Sequence, residues 1–251
     1  MSPNSRPQGT RTKIATKTAP PARLTRPTPI VALDFPSADL ALRMVDRIGD
    51  ACKFYKVGGQ LFTAAGPQVV QALRALGKDV FLDLKLHDIP NTVRGAAASA
   101  AGIGAKLLTV HATGGREMIA AAVEGAGARC GILGVTILTS LDAAMLRSAW
   151  GSKTIEVYGE VLRLAGECAA EGAYGVVCSG LEASKISAKY GDKLKLLVPG
   201  IRIAGGKIDD QKRAVTASEA AEAGANYIVL GRMITEAEDP RSELHAVMRS
   251  I

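Results

Sequence analysis

Aromatic residues are scarce in this chain, at 4% of 251 residues, so the core has to be built from aliphatic side chains and alanine. No apolar run approaches the ~20 residues that a membrane-spanning helix needs, which argues against a membrane partner. Paired cysteines are also missing. Cys52, Cys130, Cys168 and Cys178 are scattered with no C-x-x-C, which excludes a disulfide framework and a zinc knuckle and fits reduced thiols in the cytoplasm. Acidic residues are absent from positions 1–28, where Arg6, Arg11, Lys13, Lys17, Arg23 and Arg26 account for all but one unit of the net charge of +7. The remainder is nearly neutral, so the basic balance does not point to nucleic acid. The stretch 1–28 is rich in Pro, Thr and Arg without apolar periodicity and is expected to be a disordered tail. Its prolines and missing amphipathic face argue against a transit peptide, and the lack of an apolar segment against a secretory signal.

What the chain does have, from residue 29 on, is alternation. Apolar runs at 29–35, 53–59, 79–85, 106–112, 129–138, 174–179, 193–201 and 225–232 read as strands. Helical patterns fall between them at 39–49, 60–76, 91–104, 115–126, 154–171, 181–190 and 216–224, with a last one at 240–249. Strand–helix alternation predicts parallel pairing with right-handed crossovers. Eight such units predict a single-domain (β/α)8 barrel over 29–251, of the size usual for that fold. The competing open sheet of the dinucleotide-binding type has no G-x-G-x-x-G after its first strand. Residues 140–152 carry no clear pattern.

The densest chemistry lies in Phe81–Val93, FLDLKLHDIPNTV. On a strand, alternate side chains share a face, so Asp83, Lys85 and His87 are expected on one side and Leu82, Leu84 and Leu86 on the other. Pro90 should end the strand, with Asn91-Thr92 placed to cap a helix. An exposed edge strand bearing an ordinary ion pair is the plainer alternative. Barrels of this type build their sites at the C-terminal strand ends. Asp34, Lys56, Asp83, Lys85, Thr139, Arg202, Gly231 and Arg232 all fall there. Two lysines among aspartates hold one another ionised. Such a network suits loss of a substrate carboxylate as CO2, with Lys85 as the cation and proton donor where charge appears. Arg202, Gly231 and Arg232 suit a phosphate, and the glycine-bearing 203–211 reads as a lid. His87 is read as structural. His111 ends the fourth strand, and His245 lies in the last helix. The three do not form a metal-ligand spacing.

DLKLHDIPNTV resembles the signature of the bacterial-type orotidine 5'-phosphate decarboxylase family, and matching pieces run from Ile30 to about Pro240. The resemblance implies decarboxylation of orotidine 5'-phosphate to uridine 5'-phosphate in pyrimidine biosynthesis, without metal or other cofactor. It implies that Lys85 donates the proton and that Asp83 and Asp88 crowd the substrate carboxylate. It assigns Asp34 and Lys56 to the ribose, Thr139 to the pyrimidine and Gln211 to the phosphate. It also implies a homodimer in which Asp88, Ile89 and Thr92 complete the partner's site. A related group of barrels, Mg-dependent decarboxylases and aldolases of keto-sugar phosphates, shares Asp-x-Lys-x-x-Asp. There an acidic metal ligand stands where this chain has Lys56. A barrel-scaffold binding protein with a basic tail is a third reading, and it leaves the charged rim unexplained.

Overall fold

The computed structural model describes residues 26–202 and 214–251. Eight parallel strands close into a barrel in the order β1-β10-β7-β6-β5-β4-β3-β2. They are β1 (Thr28–Ala32), β2 (Phe54–Gly58), β3 (Asp79–Leu86), β4 (Leu107–His111), β5 (Gly131–Val135), β6 (Gly175–Val177), β7 (Lys195–Val198) and β10 (Tyr227–Leu230). β8 (Ile201–Arg202) and β9 (Val215–Thr216) form a separate two-residue parallel pair beyond β7. Around the barrel lie α1 (Ala38–Ile48), α2 (Gly59–Ala65), α3 (Gln68–Ala75), α4 (Pro90–Gly102), α5 (Arg116–Ala126), α6 (Ala143–Trp150), α7 (Val157–Ala170), α8 (Gly180–Tyr190), α9 (Ala217–Glu222), α10 (Arg232–Thr235) and α11 (Pro240–Arg249). This is the (β/α)8 barrel expected from the alternation.

Two separate cores follow from strand alternation. Inside the barrel, Ile30, Ala32, Phe54, Phe81, Leu107 and Leu133 are among the side chains that fill the lower tiers. Between barrel and helices, Val31, Tyr55, Val57, Val80, Leu82 and Leu108 face outward against apolar helix stripes. The helices start where capping chemistry allows. Ser37 and Asp142 cap α1 and α6, and full capping boxes, Ser179 with Glu182 and Thr216 with Glu219, open α8 and α9.

Several expectations need correction. The single helix over 60–76 is two, α2 and α3, because Gly66 (φ 63°) and Pro67 interrupt it. The unpatterned stretch 140–152 contains α6, and the strand expected at 129–138 pairs only over Gly131–Val135. Helix α4 begins at Pro90, with Ile89 in the cap position, so Asn91 and Thr92 lie in its first turn and cap nothing. Ordered packing also starts inside the expected tail. The Arg26 guanidinium donates to Met248 O at 2.5 Å and to Ile251 O at 3.2 Å, and Thr28 already pairs with Tyr227.

Candidate active site

The inward columns of β1, β2 and β3 run from apolar to charged as they climb towards the C-terminal rim. On β2, Phe54 is followed by Lys56, and on β3, Phe81 is followed by Asp83. Beyond β1, the column of Ile30 and Ala32 ends in Asp34. The lower tiers have apolar partners to fill space, whereas the top tier opens on a cavity of about 900 Å3.

Four charged groups alternate in sign across the floor of this cavity. Lys56 Nζ donates to Asp34 Oδ1 at 2.6 Å and lies 4.0 Å from Asp83 Oδ2. Lys85 Nζ donates to the same Asp83 oxygen at 2.8 Å. The Lys56 and Asp83 side chains are only 12% and 13% exposed, against 37% for Lys85 and 57% for Asp34. Attraction between the inner pair is therefore less screened than in a surface bridge, and Lys85 presents its ammonium to the opening.

The strand that carries Asp83 and Lys85 is irregular. On the β4 side, Leu82 pairs with Leu108, yet Leu86 pairs with Val110. Two extra residues are thus accommodated between these points, and Lys85 takes a positive φ of 50°, alone among the described non-glycine residues. That region is costly for a side chain with a Cβ. Alternation still leaves Leu84 and Leu86 half-buried against the outer core. His87 is exposed, with its ring 5.4 Å from that of His111. Burial, His87 and Lys85 push the His111 pKa below the ordinary 6.5, partly countered by Asp83.

Thr139, Arg202, Gly231 and Arg232 line the same cavity. It thus brings together eight of the residues singled out in the sequence. Asp88, Ile89 and Thr92 do not line it. They are exposed, Ile89 by 67%, and Asp88 Oδ1 accepts from Ile89 N–H at 2.6 Å. Gln211 and the segment 203–211 lie outside the described residues. Two contributors went unnoticed in the sequence. A Cβ on Gly58 would meet Lys56 Nζ at 3.0 Å and Asp34 Oδ1 at 3.2 Å, so glycine leaves room for that ion pair. Thr109, fully buried on β4, hydrogen-bonds behind Asp83 and Lys85. Its one signal was a hydroxyl in the middle of an apolar strand.

Residues 27–247 match the family described as Orotidine 5'-phosphate decarboxylase / HUMPS family. The chain belongs to this family. It is 49% identical over 216 residues to the orotidine 5'-phosphate decarboxylase of Anaeromyxobacter sp. (strain K), covering 86% of this chain and 94% of that protein. The enzyme of the same name from Cutibacterium acnes is 46% identical over 221 residues, covering 87% and 94%. The crystal structure of orotidine 5'-phosphate decarboxylase from Lactobacillus acidophilus superimposes with a TM-score of 0.80 at 38% identity, covering 90% of this chain and 98% of that one. The decarboxylase family resemblance read from DLKLHDIPNTV therefore extends over the whole barrel.

Proposed function

We propose that this chain decarboxylates orotidine 5'-phosphate to uridine 5'-phosphate and CO2 in pyrimidine biosynthesis, without metal or cofactor. The observation that carries the reading is the Asp34–Lys56–Asp83–Lys85 series at the cavity floor. The bond from the pyrimidine ring carbon to its carboxylate breaks heterolytically. CO2 leaves, and the electron pair stays on the ring carbon. The Lys85 ammonium stabilises that charge and then transfers a proton to the carbon, leaving a neutral amine that solvent reprotonates. Asp83 pairs with the Lys85 ammonium until then and, with Asp88, crowds the departing carboxylate. The Lys56 ammonium occupies the space between Asp34 and Asp83 that a divalent cation would need, which favours this reaction over the Mg-dependent one.

The other roles are those that the family resemblance implies. Arg202, Gly231 and Arg232 receive the phosphate, with Gln211 contributing from the segment 203–211. Asp34 and Lys56 meet the ribose, and Thr139 the pyrimidine. Asp88, Ile89 and Thr92, exposed outside the cavity of their own chain, complete the site of a second copy in a two-fold homodimer. The four cysteines are free and buried, which fits work in the reducing cytoplasm. The test is direct. Purified protein mixed with orotidine 5'-phosphate in excess EDTA should lose the substrate's pyrimidine absorbance. Activity abolished by EDTA and restored by Mg2+ would support the keto-sugar phosphate reading instead.

A further inference from the structure

The irregular turn of β3 raises a question about its backbone. Between Leu82 and Leu86 the strand has no paired positions on β4, so the Lys85 N–H has no carbonyl to meet there. A buried amide without a partner is costly. The donor is taken instead by a side chain. Lys85 N–H donates to Thr109 Oγ1 at 2.9 Å. The same hydroxyl donates its single proton to Asp83 Oδ1 at 2.9 Å. Asp83 Oδ2 in turn accepts from Lys85 Nζ. Backbone of Lys85, hydroxyl of Thr109, carboxylate of Asp83 and ammonium of Lys85 thus form a closed ring of hydrogen bonds.

Thr109 is fully buried and is not among the side chains lining the cavity, so it acts from behind. Its branched Cβ restricts χ1, which aims the hydroxyl. A hydroxyl has one proton to give and lone pairs to receive with. With the proton committed to the carboxylate, the lone pairs are left for the amide. One residue therefore does two things. It supplies the bond that offsets the left-handed backbone of Lys85, and it fixes the rotation of Asp83, so that its second oxygen faces Lys85.

We infer that Thr109 is a positioning residue that sets where the Lys85 ammonium stands relative to the reacting carbon. The inference rests on the decarboxylase reading for its kinetic consequence, but the ring of hydrogen bonds has its own readout. The full chain is prepared as Thr109→Val, which keeps the shape and removes the hydroxyl, and as Thr109→Ser, which keeps the hydroxyl and removes the methyl. Turnover and KM for orotidine 5'-phosphate, the affinity for uridine 5'-phosphate and the melting temperature are measured on each.

Thr109→Val should lose on the order of 10- to 100-fold in kcat, the scale of a small misplacement of a reacting group, with product affinity unchanged. Thr109→Ser should recover most of the turnover although its lost methyl lowers the melting temperature. A purely structural role predicts the opposite order, with turnover following stability in both variants, and that result overturns the inference. So does unaltered kcat in Thr109→Val. If Thr109→Val does not fold, hydrogen exchange decides. The Lys85 amide should be protected in the native protein and in Thr109→Ser, and rapid exchange there overturns the inference. If the native protein does not turn over orotidine 5'-phosphate, the decarboxylase reading fails, and the amide measurement still decides whether the ring exists.

Discussion

Lys85 reaches Asp83 Oδ2 at 2.8 Å from a position two residues along a strand that has left its ladder at that point. On a regular strand the Cα atoms of two such residues stand about 7 Å apart on one face. The ammonium and the carboxylate meet where β3 is out of register with β4, Asp83 largely buried and Lys85 more exposed.

Replacing Lys85 separates chemistry from strain. Lys85→Ala should lose several kcal/mol of transition-state stabilisation, read as kcat/KM, while the barrel stays folded. Lys85→Gly should be as inactive but more stable than Lys85→Ala by about 1 kcal/mol, because glycine tolerates the positive φ. Denaturant unfolding of the two variants measures the difference. Near-normal turnover by either would remove Lys85 from the mechanism.

Asp88 can be tested by complementation. Lys85→Ala and Asp88→Ala chains, each nearly inactive, are dissociated, mixed and allowed to reassociate. With random pairing about half the dimers are mixed, and one of their two sites receives both an intact Lys85 and an intact Asp88. Roughly a quarter of all sites should therefore regain full activity. Mixed dimers no more active than the parents would mean that Asp88 serves its own chain.

His111 gives the pH dependence a sign. Its pKa is lowered in the folded protein by burial and by the neighbouring His87 and Lys85. The unfolded chain therefore binds more protons between that lowered value and the ordinary 6.5. The stability from neutral His111 is complete above pH 6.5 and is lost as the pH falls through the lowered value. Melting temperatures taken downward from pH 7.5 should drop below 6.5, and His111→Asn should flatten that part of the curve. An unchanged slope in the variant would assign the effect elsewhere.

Gly58 should not tolerate a methyl group without a functional cost. Gly58→Ala puts a carbon 3.0 Å from Lys56 Nζ and 3.2 Å from Asp34 Oδ1. The pair must part by a few tenths of an ångström. We expect a severalfold loss in kcat/KM, the modest end of what misplacement costs, with little change in stability. Wild-type kinetics in Gly58→Ala would show that Lys56 and Asp34 have room to give.

Much of this was readable from the residues, for a physical reason. Strand–helix alternation and the polar ends of apolar runs follow from periodicity, which is local, so the barrel and the eight cavity residues from Asp34 to Arg232 could be placed. What was missed depends on pairing across strands. The slip of β3 against β4 leaves no mark in DLKL. Without it, Thr109 is one more strand threonine and Lys85 has ordinary backbone. Gly58 has the same difficulty, because its value lies in the space above it. The break at Gly66-Pro67 was local and could have been read. The apolar periodicity continuing on both sides hid it.

The hold of Arg26 on the carbonyls of Met248 and Ile251 brings the two ends of the described barrel together. A short flexible linker from Ile251 back to Arg26 would make the polypeptide a ring with little added strain. New ends could then be cut elsewhere, for instance at Gly151, whose left-handed φ of 64° closes α6 with open space around it. In such a permuted chain β1 would follow α11 in sequence as it already does in space. The charged tier at the ends of β1, β2 and β3 would pass from the start of the chain to its middle.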